Sequence, residues 1–231
     1  RVFHFDSGAA GLYVGGTGNE GDVIVRDGQN RQRIKLDGGY GDIWVDDAVG
    51  NRLLHFQNEF AALYIGGSGT EGDVIVRNGD GVETIKLDGG QGDIILSNAD
   101  CAEEFDVAED APPGSVMVIG DDERLTPSTT PYDRRVAGVL SGAGEYRPGI
   151  VLGRQAGATD RPAIALAGKV YCRVDATHGA VESGDLLVSS ATPGHAMRAT
   201  DAARWPGAVL GKALRPLHEG RGLVPILVTL Q

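Results

Sequence analysis

The chain has 231 residues, of which 41% are hydrophobic and 6% aromatic, with 36 glycines and a formal net charge of -11. This hydrophobic content predicts a folded chain, and the many glycines and few aromatic residues indicate that tight turns set much of its shape. The acidic excess excludes a nucleic-acid partner, which needs clustered positive charge, and no apolar run reaches the ~20 residues needed for membrane insertion. The chain lacks an initiating Met, which indicates that Arg1 is internal to a longer polypeptide.

The first half of the chain repeats itself without a gap. Residues 21–26 read GDVIVR and return 51 positions later, at residues 72–77. Residues 34–39 read IKLDGG and return with the same offset at residues 85–90. Ungapped repetition of this length is typical of one supersecondary unit stacked on itself. Residues 1–96 are therefore predicted to form an elongated β-repeat shaft, of the β-solenoid or trimeric β-fibre kind.

Each repeat divides into short apolar runs separated by Gly, Asp and Asn, which predicts strands and tight turns without helices. In the first repeat these runs lie at residues 12–14, 23–25, 33–36 and 42–45. Residues 23–25 are apolar on both faces, which a strand that covers a single core does not need. We therefore expect a symmetric homo-oligomer, with a trimer favoured, and we place Ile24 and Ile75 at the contact between chains.

Two features of the repeats suggest metal binding, and we expect neither to bind a metal. Residues 38–45 and 89–96 are similar to the calcium-binding nonapeptide of parallel β-rolls, but their Asp stands one position too early and the units are not tandem. Turn capping is the expected role. His4 and His55 are equivalent and could meet symmetry mates at a trimer axis, although a packed, hydrogen-bonded histidine is expected. We predict no metal and no cofactor.

The composition changes at residues 97–100, where the repeats end and prolines become frequent. Residues 97–231 are predicted to form a second domain, a compact β-barrel or sandwich, because short strands alternate there with Gly and Pro turns. The predicted fold class is thus all-β, with a repetitive shaft followed by a barrel-like cap. The strands of the cap are expected at residues 115–119, 135–140, 149–152, 164–174, 185–188, 208–213 and 223–230.

The junction between the domains carries the only constellation that suggests catalysis. Residues 97–105 contain a hydroxyl, an amide, the thiol of Cys101 and three carboxylates, including Glu103 and Glu104. A hydroxyl or thiol that attacks the preceding carbonyl, with a carboxylate of raised pKa to move the proton, would give backbone self-cleavage. Residue types alone favour a solvated linker with capping residues. Cys101 and Cys172 are expected to be separate thiols and not a disulfide.

The second domain resembles the C-terminal intramolecular-chaperone autoprocessing domain of phage neck-appendage and tail-fibre proteins, a self-cleaving peptidase family. The resemblance rests on DCAEEFDVAE at residues 100–109, PGSVMVI at 113–119 and YDRRVAGVLS at 132–141, and it covers roughly residues 97–231. It implies a domain that registers three chains and, in some members, cuts itself from the shaft near residues 97–101. The candidate catalytic residues are then Cys101, Glu103 and Glu104, although Cys101 departs from the family pattern.

We expect a structural protein, the C-terminal part of a trimeric phage-like tail fibre or bacterial surface appendage. It would be located in a virion or an extracellular appendage, and in the cytoplasm before assembly. One alternative is a single-turnover autopeptidase that acts on its own junction. A further alternative is a fibre that binds a cell-surface glycan or receptor, for which the aromatic candidates are Tyr13, Tyr40, Trp44 and Tyr64.

Overall fold

The computed structural model describes residues 3–6, 11–15, 20–67, 71–155 and 161–230. Its regular elements are twenty β-strands and two short 3-10 helices, which confirms the all-β prediction. Within the described residues no helix is both long and apolar enough to cross a membrane. The chain divides into two units, Arg1–Ile95 and Leu96–Gln231, which we call the repeat unit and the C-terminal unit.

The described residues of the repeat unit form ten short strands in three sheets. The strands β1 and β2 form a hairpin, β3 to β7 form a five-stranded antiparallel sheet, and β8 to β10 form a three-stranded sheet with β9 in its centre. Each strand of the five-stranded sheet pairs with the next strand along the chain, so the solenoid coil is not seen among the described strands. The bounds are β1 Phe3–Asp6, β2 Gly11–Val14, β3 Val23–Arg26, β4 Gln32–Leu36, β5 Ile43–Asp46, β6 Arg52–Gln57, β7 Ala62–Ile65, β8 Asp73–Arg77, β9 Glu83–Asp88 and β10 Asp93–Leu96.

Backbone segments approach each other so closely at two equivalent turns that only glycine fits. A Cβ atom on Gly38 would lie 2.1 Å from the carbonyl oxygen of Gly21. One repeat later, a Cβ atom on Gly89 would lie 2.1 Å from the carbonyl oxygen of Gly72. The repeated glycines therefore encode a repeated three-dimensional contact, and the sequence offset is reproduced in the fold.

Side chains of the same turn satisfy its backbone groups. The Asp37 carboxylate accepts hydrogen bonds from the backbone N–H groups of Gly39 and Tyr40, at 2.9 and 3.0 Å. The Lys35 ammonium lies 2.5 Å from the same carboxylate, and this bond lowers the pKa of Asp37. Asp88 makes the equivalent contacts one repeat later. These carboxylates cap turns, which is the role that the sequence predicted for this region.

The repeat unit has no interior of its own in the described part of the chain. All of its described residues with large apolar side chains are at least partly exposed, and its one buried residue is the turn-capping Asp37. Every residue of β3 and β8 is exposed, so both faces of these strands are open. Ile24 and Ile75 are 37% and 39% exposed. A single sheet layer of this kind leaves its apolar side chains in contact with water.

The C-terminal unit, in contrast, is organised around a closed five-stranded barrel. The long strand β16 pairs with β20 and β18, and β17 and β19 complete the ring, which confirms the barrel-like prediction. The remaining strands extend the sheet from the first half of β16. The bounds are β11 Asp100–Glu104, β12 Val116–Ile119, β13 Leu125–Pro127, β14 Val136–Leu140, β15 Pro148–Leu152, β16 Ala163–Asp175, β17 Leu186–Ser189, β18 Ala196–Arg198, β19 Val209–Ala213 and β20 Arg221–Thr229.

The core of the C-terminal unit lies inside the barrel and under the extended sheet. The main cluster joins fully buried side chains from β16, β17 and β20, among them Val174, Leu187 and Ile226. A second cluster around Met117 and Ile164 lies between β12 and β16. Burial of each such side chain contributes about 1.5–3 kcal/mol, so this unit has the apolar interior that the repeat unit lacks.

Replacement of the close-approach glycine tests whether the repeated turn holds the repeat unit together. We expect Gly89→Ala to destabilise the repeat unit by about 1–3 kcal/mol, because the new methyl group must displace a backbone carbonyl. Gly79→Ala is the matched control, since a Cβ atom there meets nothing within 4 Å. Thermal unfolding of the full chain, followed by circular dichroism, measures both. Equal midpoints for the two variants would contradict this account.

Candidate functional site

The junction predicted as a cleavage site or linker is built on β11. This strand lies between two partners, parallel to β15 and antiparallel to β16. The backbone N–H of Ala99 donates to the carbonyl of Arg147 at 3.0 Å, whereas Ser97 and Asn98 are exposed. The expectation of a solvated linker is therefore wrong from Asp100 onward. The polar residues suggested a linker, but Asp100 and Glu104 occupy inward positions of a paired strand.

The three predicted catalytic residues do not share one face of β11. Burial alternates along the strand, so Asp100, Ala102 and Glu104 are buried, while Cys101 and Glu103 are only partly buried. The Glu104 carboxylate accepts a hydrogen bond from the Arg154 guanidinium at 2.8 Å. No hydrogen bond to the side chain of Cys101 or Glu103 is found among the described residues. The catalytic role of these three residues stays a prediction.

A different pair of side chains meets beneath the junction. The Ser141 hydroxyl, just after β14, donates to the Asp100 carboxylate at 2.8 Å, and both residues are buried. The second carboxylate oxygen of Asp100 is buried and has no hydrogen-bond partner among the residues that the structure describes. Burial raises the pKa of Asp100, and the bond from Ser141 offsets only part of that effect. Burial of this kind favours the neutral, protonated form of a carboxyl group over its ionised form.

Asp100 is one of the three carboxylates predicted at the junction, whereas Ser141 lies outside the predicted constellation. The two residues are 41 positions apart, and only the pairing of β11 and β14 with β16 brings them together. No local motif marks Ser141, because residues 138–142 do not fit a nucleophile elbow. A carboxyl of raised pKa beside a hydroxyl can exchange a proton with a nearby group, which is the minimum that acid–base chemistry needs.

Of the two equivalent histidines of the repeats, His55 is packed and hydrogen-bonded, as expected. The Nε2 atom of His55 lies 3.0 Å from the Asp42 carboxylate, and its ring lies between the rings of Trp44 and Tyr64. Asp42, the early Asp of the calcium-like segment, also accepts a hydrogen bond from the backbone N–H of Asn58. Both carboxylate oxygens of Asp42 therefore make hydrogen bonds that stabilise the fold.

The other candidate binding residues of the repeats are His4, considered for a metal, and the aromatic residues, considered for a glycan. The side chains of His4 and Tyr13 lie outside the residues that the structure describes. Tyr40 is largely exposed, whereas Trp44 is covered by Lys35 and Arg52, which lie 5.0 and 4.4 Å from its ring centre. Trp44 is thus not an open platform for a sugar ring. In the described ranges, no three His, Cys, Asp or Glu side chains group in a way that could hold a metal ion.

The two cysteines are separate free thiols. Cys172 is fully buried in the barrel core, and this burial raises the pKa of its thiol to about 12. Such a thiol stays protonated at neutral pH and is a poor nucleophile. Cys101, which is partly buried, is therefore the more reactive of the two.

Comparisons with known proteins give a distant structural similarity. No family model matches the chain, and no curated protein matches it. A solved structure, the crystal structure of the pre-mature bacteriophage phi29 gene product 12, aligns with 64% of this chain at 14% identity and a TM-score of 0.40. The aligned part spans 24% of that protein's length.

Replacement of Asp100 by Asn tests whether its carboxyl group is held in the neutral form. A raised pKa in the folded state stabilises the fold at low pH, and this contribution is lost as the pH rises through the raised value. Asp100→Asn should therefore increase the free energy of unfolding by about 1 kcal/mol at pH 7, and this gain should vanish near pH 4.

Asp133→Asn is the control of opposite sign. The guanidinium of Arg135 lowers the pKa of the Asp133 carboxyl, so its contribution is present at neutral pH and lost as the pH falls. This variant should destabilise the protein at pH 7 and approach the wild type in acid. Urea unfolding at a series of pH values measures both. A destabilising Asp100→Asn at pH 7 would show that the carboxyl is ionised and needed.

Proposed function

We propose that this chain is a structural component of a trimeric, phage-like tail fibre or surface appendage. In this proposal the repeat unit is a segment of the shaft, and the C-terminal unit is a cap that registers the three chains. The exposure of β3 and β8 on both faces carries the proposal, because their side chains are apolar in both repeats. The residues concerned are Val23, Ile24, Val25, Val74, Ile75 and Val76.

A second copy of this chain is the occupant that best fits these faces. Monomeric proteins rarely expose contiguous apolar patches larger than a few hundred Å². The charged groups nearby are already paired within one copy, since the Lys35 ammonium contacts the carboxylates of Asp22 and Asp37. Lys86 makes the equivalent ion pairs one repeat later. The apolar faces therefore favour contact with another apolar surface. Because Lys35 and Lys86 are paired within one copy, they do not attract a different, charged partner.

The presence of two open faces favours a closed ring of three over a dimer. A two-fold interface uses the same patch on both subunits, so a dimer covers one face of the sheet and leaves the other in water. A cyclic trimer is the smallest closed ring in which each copy applies one face to one neighbour and the opposite face to the other. This geometry supports the trimer that the sequence pattern favoured.

The C-terminal unit has the properties that a registering domain needs. Its closed barrel and buried core allow it to fold without partners, whereas the repeat unit lacks a core among its described residues. Long-range strand pairing between chains is slow, because loop closure must be completed before the contacts form. A compact unit that folds first would hold three chains together while the shaft strands find their partners. We place the assembly in a virion or an extracellular appendage.

Charged substitutions at equivalent positions of the two repeats test the oligomer. In the full chain, Ile24→Lys combined with Ile75→Lys should weaken association by at least about tenfold. Each uncovered isoleucine loses about 1 kcal/mol of apolar burial, and the new charge resists desolvation. Val49→Lys is the matched control, because Val49 is 78% exposed in a turn. Sedimentation equilibrium measures the mass. A monomeric wild type, or equal effects of both changes, would contradict the proposal.

A self-cleaving junction is the second candidate, and the buried pair of Asp100 and Ser141 is the observation that favours it. A carboxyl group of raised pKa lies directly after the exposed residues Ser97 and Asn98, where a cut is expected. The thiol of Cys101 and the carboxylates of Glu103 and Glu104 occupy the same strand. Hydrolysis of a backbone amide needs an attacking group and a proton donor for the leaving nitrogen.

Intact mass, recorded over a long incubation without added protease, separates the two candidates. We expect the wild type to stay whole, because the three predicted residues do not share one face of β11. Time-dependent fragments that divide between residues 97 and 101 would instead establish the autopeptidase. Cys101→Ala, Glu103→Ala and Glu104→Ala should then slow the cut if these residues perform it. Asp100→Asn and Ser141→Ala would test the buried pair in the same assay.

A further inference from the structure

The C-terminal unit contains two neighbouring cavities that share Arg173 and His195 as lining residues. The smaller has a volume of about 220 Å³ and is also lined by Arg221, Gly222 and Leu223. The larger has a volume of about 460 Å³. The smaller cavity is therefore lined by three basic side chains and by no acidic one, in a chain whose formal net charge is -11. Neither cavity contains a residue of the junction.

Buried groups fix the position of Arg221 at this cavity. Its Nε atom donates to the Asp175 carboxylate at 2.8 Å, and Asp175 is fully buried. Burial alone would raise the pKa of Asp175, but hydrogen bonds from Thr177, Thr192 and Arg221 outweigh it and lower the pKa. The anchor therefore stays ionised at neutral pH. In the described part of the chain, the Nη groups of Arg221 have no further hydrogen-bond partner.

Arg173 and His195 are each held by a single hydrogen bond, which leaves other polar atoms of these side chains free. The Nε atom of Arg173 donates to the backbone carbonyl of Pro113 at 3.3 Å, and the structure shows no protein partner for its Nη groups among the described residues. The Nδ1 atom of His195 lies 2.7 Å from the carbonyl of Pro193, which requires the proton on Nδ1. In the neutral ring, Nε2 of His195 is then an acceptor, which can take a hydrogen bond from a hydroxyl group of a ligand. Two forked guanidinium groups suit a planar or tetrahedral oxyanion.

The larger cavity differs in character from the smaller one. The hydroxyl-bearing Thr126 and Thr129 line it, together with the carboxylate-bearing Glu109 and Asp110. Carboxylates repel a second anionic group but accept hydrogen bonds from neutral hydroxyls. A ligand that fills both cavities would therefore carry one negative group at the Arg173 end and an uncharged, hydroxyl-rich body at the other.

We propose that these two cavities form a binding site for an acidic saccharide unit, with its carboxylate or phosphate between Arg173 and Arg221. The hydroxyls of the sugar ring lie in the larger cavity, against Thr126, Thr129 and the two carboxylates. This location differs from the aromatic positions of the repeats, which the sequence suggested for glycan binding. All of the lining residues belong to one C-terminal unit, and none of them belongs to the junction.

Calorimetric titration of the full chain with four probes tests the site and identifies its anion. Glucuronic acid carries a carboxylate, glucose 6-phosphate a phosphate, glucose neither, and inorganic phosphate lacks the sugar. We expect one of the acidic sugars to bind at least about tenfold more tightly than glucose and inorganic phosphate. The acidic sugar that binds more tightly identifies the anionic group. Lack of binding by both acidic sugars would overturn the proposal, and equal binding of inorganic phosphate would overturn the saccharide assignment.

Variants separate this site from general attraction of anions to arginine. Arg173→Gln should weaken binding of the acidic sugar by about tenfold or more, and Arg173→Lys should restore only part of it, because lysine lacks the forked geometry. Arg215→Gln is the matched control, since Arg215 lines neither cavity and carries the same charge. An unchanged melting temperature of each variant shows that the fold is intact. Equal losses for Arg173→Gln and Arg215→Gln would overturn the site.

Discussion

The burial of apolar side chains is the constraint on which this structure depends, and its two units meet it in different ways. The C-terminal unit closes five strands into a barrel and buries residues such as Leu187 and Ile226 inside one chain. The repeat unit orders its strands into single layers, and its described apolar side chains stay in contact with water. Because apolar burial is the main favourable term in folding, we propose that other copies of the chain cover these layers.

The turns of the repeat unit explain how a sheet without a core keeps its shape. Close backbone contacts at Gly38 and Gly89, together with carboxylates that cap the turns, fix the path of the chain locally. These contacts involve mostly backbone and charged groups, which need no apolar interior. They set the geometry of each strand and, in the proposed trimer, leave the apolar side chains free to pack between chains. Because turns with close backbone contacts fix the path of the chain, the repeat unit needs many glycines and few aromatic residues.

The sequence predicted those parts of the fold that have a local signature. The apolar runs at residues 23–25 and 164–174 became strands, because alternation and turn residues are read within a few positions. The prediction of a linker at β11 was wrong, because Asp100 and Glu104 occupy its inward positions and give the segment a polar sequence. No sequence pattern joins Ser141 to Asp100, since only the pairing of β11 and β14 with β16 brings them together. The cluster of Arg173 with Arg221 likewise depends on the long-range pairing of β16 and β20.

Carbene footprinting of the full chain in solution, read by mass spectrometry, tests the central claim most directly, because it reports which side chains solvent reaches. If copies of this chain cover the shaft sheets, Ile24 and Ile75 should be labelled as weakly as the buried Ile226. Val49, in an exposed turn, supplies the upper limit of labelling in the same unit. Labelling of Ile24 and Ile75 in the full chain as strong as that of Val49 would show that both faces remain open, and would contradict this account.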